Sequence, residues 1–209
     1  SSIQGEGLLL GCRQVFVSLA LCNLICAYCD TPFAPQAACR IEDAPGSGNF
    51  RTLPNPVALD TLLEILSDWH RQAPGLHHSI SLTGGEPLVQ GDLLREWLPS
   101  LCEILPLHLE TNGTLPEALQ PLLPHLDSIA MDVKLHSVSG APTPWAEHRR
   151  FLALAKDMEC QVKVVVSDET AVSEVEEAAA MVHEVAPDVP LILQPVTRGG
   201  TVAMAAGAL

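Results

Sequence analysis

The stretch "HSISLTGGEPLVQGDLLREWLPSL", residues 78–101, contains one complete unit of the predicted fold. It begins with a short apolar run, His78–Thr83, which has the length and composition typical of a β-strand. A turn rich in glycine and proline follows, and Asp92 then stands where a helix N-cap is expected. Apolar residues recur at helical spacing from Leu93 to Leu101. The stretch therefore predicts a strand, a turn and a helix in succession.

The same alternation of strand and helix continues along the chain and predicts the fold class. Strands joined through helices pair in parallel, and their nearly continuous apolar composition indicates burial on both faces. Six such units are too few for a closed eight-stranded barrel. We therefore expect an α/β fold, a partial (β/α)6 TIM-like barrel, with ligand-binding side chains at the carboxyl ends of the strands. The predicted strands are Gln14–Ala20, His78–Thr83, Leu107–Thr111, Ser128–Lys134, Gln161–Ser167 and Leu191–Val196. Further helices are predicted from Asn55-Pro56 onward and at Pro116–Leu123, Trp145–Lys156 and Ala171–Val185.

Length, charge and composition limit the classes of protein to consider. A chain of 209 residues suggests a single domain over residues 1–209, with a long Pro- and Gly-rich loop at residues 31–56. The net charge of −14, from 11 basic and 25 acidic residues, argues against binding to nucleic acid or anionic membranes. No apolar run reaches the roughly 18 residues of a membrane span, and we expect a cytoplasmic protein. Because the chain starts without Met and ends in "TVAMAAGAL", both termini are expected to be incomplete.

Three of the seven cysteines, Cys22, Cys26 and Cys29, lie within eight residues directly after the first predicted strand. Isolated cysteines are often small buried apolar residues, but this cluster is too dense for that interpretation. A structural zinc site and a ferredoxin-type cluster each need four protein ligands, and Cys39 or a histidine is a candidate fourth ligand for zinc. The remaining interpretation is a [4Fe–4S] cluster with three protein ligands, in which the fourth iron is open to another molecule.

The C-x3-C-x2-C spacing, with Tyr28 just before the last cysteine, resembles the radical S-adenosylmethionine enzymes. The resemblance implies that Cys22, Cys26 and Cys29 hold the cluster and that the amine and carboxylate of the cofactor's methionine bind the open iron. It also implies that the reduced cluster cleaves the sulfonium to give a 5′-deoxyadenosyl radical. The radical comes from the cofactor, so the resemblance implies no catalytic side chain.

Polar motifs at the ends of later strands support this resemblance. "LTGGEPL", "LETNGT", "MDVK" and "QP" each follow a predicted strand, where an ordinary turn or a salt bridge between Asp132 and Lys134 is the alternative interpretation. Lys163 places a charge inside the fifth predicted strand, which is unexpected in a buried strand. The resemblance implies cofactor contacts from Tyr28, Gly84, Gly85, Glu86, Glu110, Asn112, Lys134 and Gln194.

Within that superfamily, "SIQGEG", "CDT", "TGGEP", "ETNGT" and "QPV" occur in the order found in the 7-carboxy-7-deazaguanine synthase family. Members convert 6-carboxytetrahydropterin to 7-carboxy-7-deazaguanine with loss of ammonia, in queuosine and deazapurine biosynthesis. The resemblance implies a homodimer, a flavodoxin-like electron donor and Mg²⁺ bound by Thr31. Two positions depart from the family pattern: Ser18 replaces an arginine that holds the substrate carboxylate, and Leu21 replaces a glycine. The implied substrate contacts are Gln4, Glu6, Ser18 and Thr83, with Arg13, Arg40 or Lys134 as candidate replacement cations.

Two other functions remain open from the residues. An activating enzyme that abstracts hydrogen from a glycine of a partner protein shares the cluster and the barrel, but it does not explain "SIQGEG" or "CDT". A non-enzymatic module that binds zinc through the three cysteines and Cys39 belongs to a different class. Most of the eight histidines are expected at surface or capping positions.

Overall fold

A computed structural model describes residues 1–198 and 201–202 and has a seven-stranded sheet at its centre. The sheet order is β1-β2-β5-β6-β7-β8-β9, in which β1 pairs antiparallel with β2 and every other neighbouring pair is parallel. The predicted α/β partial barrel is thus confirmed. The strands are β1 Ser2–Ile3, β2 Arg13–Leu19, β3 Ala38–Glu42, β4 Phe50–Pro54, β5 Ser79–Gly84, β6 Leu107–Thr111, β7 Ser128–Val133, β8 Glu159–Val166, β9 Leu191–Pro195, β10 Thr197–Arg198 and β11 Thr201–Val202.

Helices connect the parallel strands, and two predicted starts are wrong. The first helix begins at Leu59 with Ala58 at its N-cap, so Pro56 lies before it. The second begins at Gly91, because a 3-10 helix over Pro87–Gln90 continues directly into it, and Gln90 takes the N-cap position predicted for Asp92. The helices are α1 Leu59–Gln72, α2 Gly91–Leu101, α3 Pro116–Leu119, α4 His136–Ser139, α5 Trp145–Ala155 and α6 Val172–Val185, with a second 3-10 helix at Leu123–His125.

The central strands are largely buried on both faces, as predicted, but the two faces differ in polarity. Side chains alternate between the faces of a strand. In β7, Ile129, Met131 and Val133 belong to the hydrophobic core, whereas Ala130 and Asp132 line a cavity. The helices therefore pack on an apolar outer face, while the opposite face carries polar side chains that hydrogen-bond to one another.

The segment 31–56, predicted as a long loop, contains a β-hairpin. Strands β3 and β4 pair antiparallel with each other, in a two-stranded sheet separate from the central one. Arg40 places its guanidinium 4.3 Å from the centroid of the Phe50 ring across this pair. The strands are short and largely exposed, so they lack the apolar pattern that reveals a buried strand.

No helix within residues 1–198 and 201–202 is both long enough and apolar enough to cross a membrane.

Candidate active site

A cavity at the carboxyl ends of the central strands collects most of the predicted site residues. Its walls come from the segment before β2, the cysteine loop after β2, and the ends of β5, β6 and β7, together with side chains of β8. This is the position expected for the ligand site of a parallel sheet. The predicted residues that line the cavity are Gln4, Glu6, Cys22, Cys26, Tyr28, Cys29, Thr31, Thr83, Gly84, Gly85, Glu110, Asn112 and Lys134.

Three predicted site residues lie outside the lining of this cavity. Ser18 is exposed on β2, beside Thr83 of β5. Gln194 is half-buried on β9, the edge strand opposite β1. Glu86 is fully buried inside the wall. The lining also includes Asp132, Gln161 and Lys163, which were not in the predicted set.

Hydrogen bonds tie the cysteine loop to the ends of two other strands. The side chain of Asn23 accepts from Asn112 Nδ2 at 2.9 Å and donates to Thr114 Oγ1 at 2.8 Å. The amide of Ala27 donates to the Ser139 carbonyl at 2.8 Å. These three hydrogen bonds hold the loop at the cavity. Asn23 was missed by the sequence analysis because nothing in its spacing distinguishes it from an ordinary loop asparagine.

The three clustered cysteines form no disulfide and lie in the wall of the same cavity. Burial raises the pKa of Cys26, since the surroundings disfavour the thiolate. Among the described residues, no three His, Cys, Asp or Glu side chains already converge as a metal-binding group. The donor set nevertheless fits an iron–sulfur cluster, because iron stabilises thiolates and displaces their protons on binding. Cys39, a candidate fourth ligand in the alternative zinc site, lies on β3 and does not line the cavity.

The Gly84-Gly85 turn packs directly against the backbone that leads into the cysteine loop. A Cβ on Gly84 would lie 2.2 Å from the Leu19 carbonyl oxygen, and one on Gly85 would lie 2.0 Å from that of Leu21. The Gly85 amide donates to the Leu19 carbonyl at 3.0 Å. Gly84 also has a φ of +118°, which only glycine adopts readily. The absence of side chains at both positions therefore allows a close backbone approach that joins β5 to the cysteine loop.

Glu86 acts as an internal brace for the loop after β6. Its Oε1 accepts from Thr111 Oγ1 at 2.8 Å, and its Oε2 accepts from the Asn112 amide at 2.6 Å. Oε1 also accepts from the Leu88 amide at 3.0 Å. Burial raises the pKa of this carboxyl, while these three hydrogen bonds oppose the shift. Glu86 therefore positions Asn112 from within the wall of the cavity.

A connected series of ion pairs lines the cavity. Asp132 Oδ2 lies 2.8 Å from Lys134 Nζ and 3.3 Å from Lys163 Nζ. Lys134 also donates to Tyr28 Oη at 2.8 Å, and Lys163 lies 2.6 Å from Glu6 Oε1. Burial raises the pKa of Asp132, but the two lysines outweigh burial and the net pKa is lowered. The salt bridge considered for Asp132 and Lys134 is present, and both side chains also face the cavity.

Two atoms of this network remain available to a ligand. Asp132 Oδ1 is buried and has no hydrogen-bond partner within residues 1–198 and 201–202. Burial and the nearby Asp132 charge raise the pKa of Tyr28 to about 12, so its phenol keeps a proton to donate. A buried acceptor without a partner is costly, and a bound molecule with a donor would satisfy it.

Glu110 accepts hydrogen bonds from several polar side chains of the cavity. Its Oε1 accepts from Gln4 Nε2 at 2.8 Å and from Ser81 Oγ at 3.0 Å. Its Oε2 accepts from Thr83 Oγ1 at 3.0 Å. Gln4 and Thr83, both predicted to contact substrate, are thus held by one carboxylate.

His148 links two loops of the site and is one of the histidines that are buried in the protein. It is fully buried on α5, and burial lowers its pKa to about 4, so the ring is neutral. Its Nδ1 lies 3.2 Å from the Gly113 carbonyl, and its Nε2 accepts from the Lys134 amide at 3.3 Å. A carbonyl only accepts and an amide only donates, so the proton resides on Nδ1. The ring holds the ends of β6 and β7 together.

Leu21 adopts the backbone conformation of a glycine just before the first clustered cysteine. Its φ is +73°, and no other non-glycine residue among those described has a positive φ. Since this region costs an L-residue about 1–2 kcal/mol, we expect Leu21→Gly to raise the free energy of unfolding by about 0.5–1 kcal/mol after the larger chain entropy of glycine is subtracted. Chemical denaturation measures the change. Leu10→Gly, at another exposed leucine, should instead lower the free energy of unfolding. An equal decrease in both variants would show that the Leu21 backbone is not strained.

The chain is similar to known proteins over most of its length. The family model for the radical SAM superfamily matches residues 17–167, from β2 to just beyond β8. A protein of Geobacter sulfurreducens named 7-carboxy-7-deazaguanine synthase is 49% identical over 201 residues, which cover 96% of this chain and 80% of the relative. Proteins of the same name from Thermococcus kodakarensis and Methanocaldococcus jannaschii are 34% and 30% identical, and the matches cover 77% and 83% of their lengths. These two matches cover 91% and 97% of this chain.

Proposed function

Because the chain belongs to the radical SAM superfamily and, within it, to the 7-carboxy-7-deazaguanine synthases, we propose that it converts 6-carboxytetrahydropterin to 7-carboxy-7-deazaguanine. The reaction contracts a ring and releases ammonia, and it belongs to queuosine and deazapurine biosynthesis. The observation that best supports this function is a single cavity lined by three free cysteines, a glycine turn and side chains of the Gln4–Glu6 segment. A cluster, a cofactor and a substrate would meet there.

Radical SAM enzymes use a [4Fe–4S] cluster and S-adenosylmethionine, and we assign the cluster to Cys22, Cys26 and Cys29. When bound, the reduced cluster and its cofactor supply a radical that takes a hydrogen atom from C6 of the pterin. Protein residues hold the reactants in position and keep water away from the reacting atoms. The density of thiols in one short loop and their place in the cavity wall support this assignment.

The assigned cofactor contacts come from the ends of β5, β6 and β7. Gly84 and Gly85 present backbone without side chains, while Glu110 and Asn112 present hydrogen-bonding groups suited to ribose hydroxyls. Glu86 contributes by positioning Asn112, as its hydrogen bonds inside the wall indicate. Tyr28 and Lys134 lie on the same side of the cavity as the cysteine loop.

The assigned substrate contacts line the same cavity, next to Glu110. The carboxylate of Glu6 suits the amino-pyrimidinone edge of a pterin, which donates two parallel N–H bonds. Gln4 and Thr83 are held beside it through Glu110. Ser18, being exposed and outside the lining, is assigned no contact.

Thr31 is assigned to Mg²⁺, together with the substrate carboxylate and water, since this hard cation prefers oxygen ligands. Thr31 lines the cavity next to Asp30. We expect Thr31→Ala to raise the Mg²⁺ concentration needed for half-maximal activity by roughly tenfold, while the rate at saturating Mg²⁺ changes little. Titration of activity with Mg²⁺ measures this shift, and Thr52→Ala on β4 is the matched control. An unchanged Mg²⁺ requirement would remove Thr31 from the metal site.

Anaerobic reconstitution followed by mass spectrometry tests the function directly. The protein would be supplied with iron, sulfide, reductant, S-adenosylmethionine, Mg²⁺ and 6-carboxytetrahydropterin. Formation of 7-carboxy-7-deazaguanine is the expected result. Cleavage of the cofactor without this product would reject the substrate and leave an activating enzyme or another radical reaction as the alternative. One zinc per chain and no iron would reject the cluster.

We also propose a cytoplasmic homodimer that accepts electrons from a flavodoxin-like protein. A reducing compartment suits the seven free cysteines of the described chain. Size-exclusion chromatography with light scattering measures the oligomeric state, and reduction of the reconstituted cluster by a flavodoxin measures the electron donor.

A further inference from the structure

Lys163 is a charged residue within a largely apolar part of β8. It lies in β8 between the fully buried Val162 and Val164, and its Cα pairs with that of Asp132 in β7. The side chain of Lys163 is 16% exposed and lines the cavity. A lysine costs stability in such a position unless partners hold its charge. Glu6 and Asp132 are those partners, at 2.6 and 3.3 Å from Nζ.

The Lys163–Glu6 pair leaves hydrogen-bonding capacity toward the cavity. A lysine ammonium has three hydrogens, and within the described residues its two carboxylate partners account for two of them. Glu6 is bonded through Oε1, and its side chain is 33% exposed, so its carboxylate has further lone pairs for a ligand. Seen from the cavity, the pair offers one donor next to a carboxylate.

This arrangement is complementary to the pyrimidinone edge of a pterin. That edge carries three groups in a row, the O4 acceptor, the N3–H donor and the 2-amino donor. A donor can pair with O4, and an adjacent carboxylate can accept from N3–H and the 2-amino group. Lys163 Nζ and Glu6 Oε1 are 2.6 Å apart, which is close enough for them to bind neighbouring groups on one edge of the heterocycle. Direct recognition of this kind is how proteins distinguish the edges of nucleobases.

We propose that Lys163 donates a hydrogen bond to O4 of the substrate while Glu6 accepts from N3–H and the 2-amino group. Lys163 is then a residue that determines substrate specificity. The inference rests on the proposed function, because it concerns the same pterin in the same cavity.

The charges of the cavity favour O4 over the substrate carboxylate as the partner of Lys163. The lining contains two lysines against four acidic residues, and Lys163 already lies between two carboxylates. A third carboxylate would be repelled by both, whereas a carbonyl oxygen carries no net charge. Burial lowers the pKa of Lys163, but Asp132 and Glu6 outweigh burial and raise it, so the side chain remains a cation.

The two arginines considered as carboxylate ligands lie elsewhere. Arg13 donates to Ser1 Oγ, and Arg40 covers the Phe50 ring on the β3–β4 hairpin. Neither lines the cavity.

Calorimetric titration of the reconstituted, cofactor-loaded protein with three stable oxidised pterins tests the proposal. The probes are 6-carboxypterin, its 4-thio analogue, which keeps N3–H but has a poor acceptor at position 4, and pterin without the carboxylate. We expect Lys163→Met to weaken the binding of 6-carboxypterin by about 10- to 100-fold. The preference of the unmodified protein for oxygen over sulfur should fall to within about threefold in this variant, since the charged donor to position 4 is gone. The preference for 6-carboxypterin over pterin should stay unchanged.

Two further variants separate a specific contact from a folding defect. Lys163→Arg keeps the charge and a donor and should retain the preference for oxygen over sulfur. Lys156→Met makes the same substitution at an exposed lysine and should change no affinity. Thermal unfolding of each variant reports whether the strand is intact.

Two outcomes would overturn the role of Lys163. The first is a loss of 6-carboxypterin affinity with unchanged pterin affinity, which would place Lys163 at the carboxylate. The second is unchanged affinity for all three probes. Failure of the unmodified protein to bind any pterin, while it still cleaves S-adenosylmethionine, would instead reject the proposed function itself.

Discussion

Cys26→Ala is expected to abolish cleavage of S-adenosylmethionine and formation of product. Cys26 lies between the other two clustered thiols in sequence, and all three line one cavity. Removing a supporting group near a metal site already costs 10- to 100-fold in affinity or activity, so removing a ligand should cost more than about 100-fold. Anaerobic reconstitution should give about four irons per chain in the unmodified protein and far less in the variant. Iron analysis and chromatography of 5′-deoxyadenosine measure both effects.

Cys39→Ala is the matched control for the cluster. Cys39 lies on β3, is half-buried and is absent from the cavity lining. We expect this variant to keep its iron and its activity. Full iron content and cofactor cleavage in Cys26→Ala would disprove the assignment of the cluster. Loss of metal from both variants would favour a four-cysteine zinc site.

Gly85→Ala is expected to separate the cysteine loop from the end of β5. The added Cβ would lie 2.0 Å from the Leu21 carbonyl oxygen and 2.9 Å from Phe33 Cβ. Contact distances this short force backbone to shift, because no side-chain rotation moves a carbonyl oxygen away. Overpacking of this kind costs about 1–3 kcal/mol, and we expect the upper part of that range. Leu21 precedes Cys22, so reconstitution should also yield less iron.

Gly5→Ala provides the comparison for Gly85→Ala. No heavy atom lies within 4 Å of a Cβ built on Gly5, and its φ is not positive. Denaturation curves for the two variants should therefore differ, with Gly5→Ala close to the unmodified protein. An unfolding free energy for Gly85→Ala within experimental error of that protein would show that the turn has room for a side chain.

The sequence alone determined the alternating strands and helices of the parallel sheet and most of the residues proposed for the site. Apolar runs such as Leu107–Thr111 mark strands because burial selects their composition, and this strand was predicted with its observed bounds. The C-x3-C-x2-C spacing and the Gly-Gly turn are local features, so they are visible without a structure. The hairpin of residues 38–54 was not predicted, because its strands are exposed and short.

Only the tertiary structure decided which side chains meet. Glu86 was expected at the cofactor, yet its oxygens bind Thr111 and Asn112 inside the wall, 25 and 26 residues away. Lys163 was visible as an unexpected charge, but its pairing with Glu6 spans 157 residues and depends on the curvature of the sheet. Hydrophobic pattern and spacing report on burial and local geometry, which neighbouring residues share. Side chains that meet across a barrel are brought together by how the strands pair and curl. No local pattern in the sequence shows which distant residues will meet.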